Sequence, residues 1–252
     1  MKLLVRTSFW LVILFTLISI VLDIQVWSMV FYKGVPGSAH QTLTSQIGRF
    51  LRTALMLAFI PAILHSQAKR QARLLVLALF LAVIADFFLI LRQQLIVGIA
   101  IFGLMQIILI IRHLAGFQLR FLSQKPYRTG VFIGVVTWLI AASLLWSGLQ
   151  ASGLLIPVLV YGFLLIVSVW AAFASMHLEV LSLKPAKLAF WAMVFFLLCD
   201  ITVGLGAIWA GQPRALLIRA ITGFFYTPCL LLLAYSGMPK LIAAKTKMAN
   251  AY

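Results

Sequence analysis

Eight apolar runs, at about 9–32, 47–64, 74–91, 95–111, 130–147, 153–175, 188–209 and 216–236, leave this chain few folds to choose from. A run of roughly 18 residues or more can cross the ~30 Å hydrocarbon core of a bilayer as a helix. In lipid only helices and closed barrels satisfy their own backbone, and runs of this length are too long for barrel strands. The expectation is an all-α polytopic membrane protein, with eight transmembrane helices in one bundle and a single domain over residues 1–252. Composition agrees: 64% of the residues are hydrophobic and only 10% charged, whereas soluble domains are about half apolar and a quarter charged. The first run follows a basic start, as a signal peptide would, but it is too long for one and no small-x-small cleavage site follows. It reads as a retained first span.

A net charge of +16 would suit nucleic acid. The Lys and Arg residues, however, lie in short loops between apolar runs, where they meet anionic lipid headgroups, so nucleic acid is not an expected partner. Of these basic residues 14 fall on the side of both termini and 6 on the other. Positive charge stays cytoplasmic, which places both termini inside, and the short loops fit a bacterial inner (cytoplasmic) membrane. The join Arg92-Gln93-Gln94 is brief, so the third and fourth spans should form a tight antiparallel hairpin. Pro61, Pro157 and Pro228 fall within runs and are candidates for kinks. Trp27, Tyr32, Tyr127 and Trp209 sit near run ends, where an interfacial aromatic belt belongs.

Two of the four acidic residues stand where a carboxylate is most expensive. Asp86 is the only charge in Leu74 to Leu91, and Asp200 the only one in Leu188 to Trp209. An ionised side chain there costs a few kcal/mol or more, which marks function more often than glue. The third and seventh spans run in the same direction, and each Asp comes 12 residues after its run begins. Both carboxylates should then lie about 18 Å from the inner boundary, just outward of the midplane. Arg52 and Arg219, near the outer ends of the second and eighth spans, can share that level. Arg219, Thr222, Tyr226 and Cys229 follow i, i+3, i+7, i+10 spacing on one helical face, and Gln106 stands one turn after Gly103. A polar chamber in the outer half is the economical reading. The plain alternatives are Arg–Asp bridges that clamp helices two to three and seven to eight, or arginines that snorkel to the interface.

Other chemistries find little support. His40, His65, His113 and His177 lie at run ends or in loops, and no pair has metalloprotease spacing, so no metal and no cofactor is expected. Cys199 and Cys229 fall inside runs and read as small apolar packing residues. Neither a Gly-x-Ser-x-Gly elbow nor a Walker-type phosphate loop is present.

Four patterns follow one another along the chain. AVIADFFLILRQQLIVGIAIFGLMQIILI carries Asp86 and Gln106, PVLVY carries Pro157 and Tyr161, FLLCD carries Phe196 and Asp200, and FFYTPC carries Tyr226. As an ordered set they resemble the YhhN-like lysoplasmalogenase family of eight-span membrane proteins. Arg52 matches the Lys or Arg that this family carries upstream of its first Asp. Departures fall within the motifs: Ala85 for Gly, Gln106 at the His position, Cys199 for Ser, and Phe225, Pro228 and Cys229 for Tyr, Ala and Gln.

The resemblance implies hydrolysis of the vinyl ether of a lysoplasmalogen to a fatty aldehyde and a glycerophospho-alcohol. Such a reaction needs a proton delivered to the enol-ether carbon and then water added to the oxocarbenium ion. Two neighbouring carboxylates that share one proton suit both steps, as paired acids do around glycosidic bonds. Asp86 and Asp200 are read as that pair. Tyr161, Tyr226 and Gln106 would position water or substrate, and Arg52 or Arg219 the phosphate, of a lysophospholipid-like amphiphile reaching the site sideways from the bilayer. The rival readings are a proton-coupled carrier using the acids as a relay, and a catalytically silent lipid-binding relative.

Overall fold

The computed structural model describes residues 2–33, 39–66, 69–178 and 181–238. Every element among them is helical: α1 (Lys2–Lys33), α2 (Ala39–Ala54), α3 (Ile60–Ser66), α4 (Lys69–Asp86), α5 (Leu95–His113), α6 (Lys125–Ala151), α7 (Leu155–Ser175), α8 (Leu183–Ile208) and α9 (Pro213–Ser236). Eight stretches are long and apolar enough to cross a membrane, the second being Leu43–His65 (α2 through α3) and the third Arg70–Leu91. The chain is an integral membrane protein built as an all-α bundle. The helices overrun the apolar runs mainly at their basic ends: α6 begins at Lys125 and α8 at Leu183. Lys and Arg propagate a helix well and carry their charge outward on long stems.

Seven of the eight spans close into a ring. α9 packs between α8 and α1, α1 against α2, α2 against α4, α4 against α5, α5 against α7, and α7 against α8. α6 stays outside this ring, seated mainly on α7, with only Tyr127 and Leu149 buried. The third and fourth spans do form the tight hairpin. Gln93 turns the chain at φ 53°, and a Cβ on Gly98 would come within 2.3 Å of Leu89, so only glycine fits there.

Two spans depart from α geometry. In the second, Leu55–Phe59 tightens to 3₁₀ before Pro61. Proline has no N–H to offer Leu57, and the Ile60 N–H takes that carbonyl instead. In the third, Phe87–Leu91 widens to a π turn directly after Asp86, and the Arg92 N–H reaches the Phe87 carbonyl at 3.1 Å. Pro157 does not kink a helix: it is the third residue of α7, where a missing N–H has no partner to lose. Pro228 sits within α9, which continues through it. Tyr127 does not belong to an interfacial belt either. It is 3% exposed, packed against Phe117 at 5.9 Å, and its carbonyl accepts the Trp170 indole N–H at 3.1 Å.

Candidate active site

A cavity of about 530 Å³ between α6 and the ring helices α2, α4, α5, α7, α8 and α9 is lined by Asp86, Asp200, Arg52, Arg219, Tyr161 and Tyr226 together. Gln93, Leu95, Leu154 and Ala210 also line it, so it extends toward the end of the bundle away from the N-terminus of α1. Most of the remaining wall is aliphatic, with Leu145, Val158, Ile166 and Ile201 among it. The chamber is therefore a greasy pocket with its charges gathered on the α2, α4, α8 and α9 sides.

Each carboxylate is held by a hydroxyl from a neighbouring helix. Asp86 ends α4, is 4% exposed, and accepts the Thr53 hydroxyl of α2 at 2.5 Å. Asp200, half-buried on α8, accepts the Tyr161 hydroxyl of α7. The bridges entertained from the sequence are absent: among the described residues neither carboxylate is bonded to a guanidinium. Arg52 instead donates from Nη1 to Thr227 at 3.4 Å, Thr227 pairs with Thr16 at 2.8 Å, and the guanidinium stands 5.1 Å from the centre of the Tyr226 ring. Arg52 does not snorkel, being only 2% exposed. Gly223 makes this possible, since a Cβ there would lie 3.3 Å from Arg52 Nη1. Arg49 and Arg52 line the same cavity as the two carboxylates.

The other expected residues divide. Arg219 is exposed and lines the cavity with Thr222 and Tyr226 on the face anticipated for α9; Cys229, next on that face, is wholly buried and lies off the wall. Thr222 also bonds Thr202 of α8 at 2.8 Å. Tyr226 packs edgewise on Phe102 and Phe196, with ring centroids 6.4 and 5.9 Å away, and its hydroxyl lies close to Asp86. Gln106 is not on the cavity wall. It is fully buried, with its amide close to the Tyr161 hydroxyl. Tyr161 packs near Gly103 of α5, where an added Cβ would lie 3.9 Å from the ring, in ordinary van der Waals contact.

Three functional candidates escaped the sequence reading. Arg49 lines the cavity one turn before Arg52. Asp23 of α1, 5% exposed, accepts the Ser45 hydroxyl at 2.7 Å and is the acid closest to Arg49. Its signal was available, for it too is a carboxylate inside an apolar run. Thr53 carried no signal, because only the packing of α2 on α4 aims it at Asp86.

Among known proteins, the model of the YhhN family matches residues 48–237, which span both aspartates and all the lining residues named above. No curated protein and no solved structure matches the chain.

Proposed function

The chain belongs to the YhhN family, and from that membership and the carboxylate chamber we propose a hydrolase that cleaves the vinyl ether of lysoplasmalogens. The observation that carries this reading is the meeting of Asp86 and Asp200, from separate helices, on one apolar cavity. A pocket with greasy walls suits an alkenyl chain, and two carboxyl groups beside it suit acid-catalysed hydration of an enol ether.

The charges divide the labour. Asp200, held by Tyr161, is assigned the proton donor; its carboxyl proton goes to the β-carbon of the vinyl ether, leaving an oxocarbenium ion at the carbon attached to oxygen. Asp86, held by Thr53, is assigned the carboxylate that stabilises this cation and orients the attacking water. Water adds, its surplus proton returns to the carboxylate pair, and the hemiacetal collapses to aldehyde and alcohol. Tyr161 fixes the Asp200 carboxyl, and Arg49, Arg52 and Arg219 offer positive charge to the phosphate of the leaving glycerophospho-alcohol. In this reading both termini face the cytoplasm and the chamber lies toward the opposite leaflet, consistent with the bias of basic residues.

The test is aldehyde release by purified protein in nanodiscs from a lysoplasmalogen, with the matching ester lysolipid as control. Release from the vinyl ether alone, lost in Asp86→Asn and Asp200→Asn, is the expected result. Unimpaired release by both variants overturns the mechanism, and no release by the parent protein overturns the activity.

A further inference from the structure

The chamber has a neighbour. A second cavity of about 590 Å³ lies between α6, α7 and α8, lined by Gly130, Ile133, Val169, Trp170, Phe173 and Phe190, with Lys125 and Pro126 at its far end. Thr137, Ile166 and Leu197 line both cavities, so the two abut across those side chains. The lining of the second is almost wholly hydrocarbon and aromatic.

Its shape follows from how α6 is attached. Glycines bring α6 hard against α7: a Cβ on Gly134 would stand 2.9 Å from Ile166, and one on Gly130 would stand 3.0 Å from Trp170. No such approach draws α6 onto α8 along this stretch, where the wall is completed by Phe190 and Leu197. The crevice is therefore closed by α7 at its back and flanked by α6 and α8, with the bilayer beyond the seam between those two. Phe190 precedes Asp200 by ten residues of α8, and Phe173 follows Tyr161 by twelve of α7. At 1.5 Å per residue the crevice reaches about 15–18 Å inward from the level of the acids, past the midplane to its Lys125 end, a length comparable to half of a ~30 Å hydrocarbon core.

We propose that this crevice is the binding site for the single hydrocarbon chain of the substrate, which slips in from the bilayer between α6 and α8 and leaves its polar linkage at the two aspartates. The identity of the linkage rests on the hydrolase reading; the presence of one chain in the crevice does not. A continuous run of apolar side chains accepts one chain along its length, and the chamber above it holds the polar groups that stop the chain from sliding further. Two-chain lipids fit poorly, because the close α6–α7 contact leaves no parallel path for a second chain.

The experiment uses the full-length protein in nanodiscs and a non-cleavable probe: a saturated alkyl-ether lysophosphocholine with a diazirine at the chain terminus. Photolysis followed by peptide mass spectrometry is expected to mark Val169, Phe173 and Phe190. Excess unlabelled lysophosphocholine should compete and diacyl phosphocholine should not. Val169→Trp, which fills the crevice, should lower labelling of Phe173 and Phe190 about tenfold, while Val169→Ala keeps it. Labels spread over the exposed Phe132, Ile156 and Phe163 and indifferent to competitor would overturn the proposal, as would undiminished labelling in a folded Val169→Trp protein. Labelling without aldehyde release supports the chain site while removing the hydrolase reading; aldehyde release without crevice labelling removes the chain site alone.

Discussion

Arg52 and Arg112 are both guanidinium groups buried in the bundle, at 2% and 0% exposure, yet their surroundings differ in kind. Arg52 borders a cavity that two carboxylates and Tyr226 also face. Arg112 lies toward the other end, late in α5, in a closed knot where Nη1 donates to His113 Nε2 at 3.0 Å and Nη2 to Ser236 Oγ at 3.2 Å. Neither cavity described here includes Arg112 or His113 in its wall. A buried charge by itself is thus not a site. What separates the two regions is room beside the charge and acidic groups brought to that room from different helices. A polar side chain that borders a cavity can meet a ligand, whereas one sealed in packing, such as Arg112, is only a cost.

This contrast can be broken by mutation. The largest effect belongs to the acids: Asp86→Asn or Asp200→Asn should reduce aldehyde release by about 10²–10⁴-fold with thermal unfolding little changed. A loss of fold in both would instead make them structural groups. Next come the hydroxyls that hold the acids. Thr53→Val and Tyr161→Phe should each lower kcat by about tenfold to a hundredfold, the worth of a hydrogen bond to a charged group. Thr53→Ser should recover most of it, and a kcat unmoved in Thr53→Val would show that Asp86 needs no such anchor. A smaller effect is expected at the exposed rim of the chamber, where Arg219→Gln should raise KM about threefold with kcat unchanged. The smallest concerns the knot. Arg112→Met should leave aldehyde release intact and raise unfolding stability by about 1 kcal/mol, since an apolar side chain needs no desolvation. Lost activity in a stable Arg112→Met protein would erase the distinction between the two regions.

The acids were legible because a lone carboxylate in an apolar run contradicts its surroundings, and no knowledge of packing is needed to see the contradiction. Asp23 carries the same signal inside the first run, so the sequence is enough to mark it as well. Thr53 is different. A threonine in a helix is ordinary, and its importance comes only from pointing across the α2–α4 contact. Gln106 shows the converse: its motif position suggested a wall residue, but helix rotation sets it behind Tyr161. The π turn after Asp86 likewise has no proline or glycine to announce it.

The sequence by itself determined that there are eight spans, because the free-energy cost of a polar backbone in lipid leaves one solution for each long apolar run. It also determined that Asp86 and Asp200 lie at comparable depth, since depth along a helix is a matter of counting residues. Only the tertiary structure decided that the two acids face one another's cavity, that hydroxyls rather than arginines hold them, and that α6 stands aside from the ring. Those depend on how each helix is turned about its axis. Between spans of nearly uniform greasiness, rotation is set by close packing of glycines and side-chain shapes, which no count along the chain reveals.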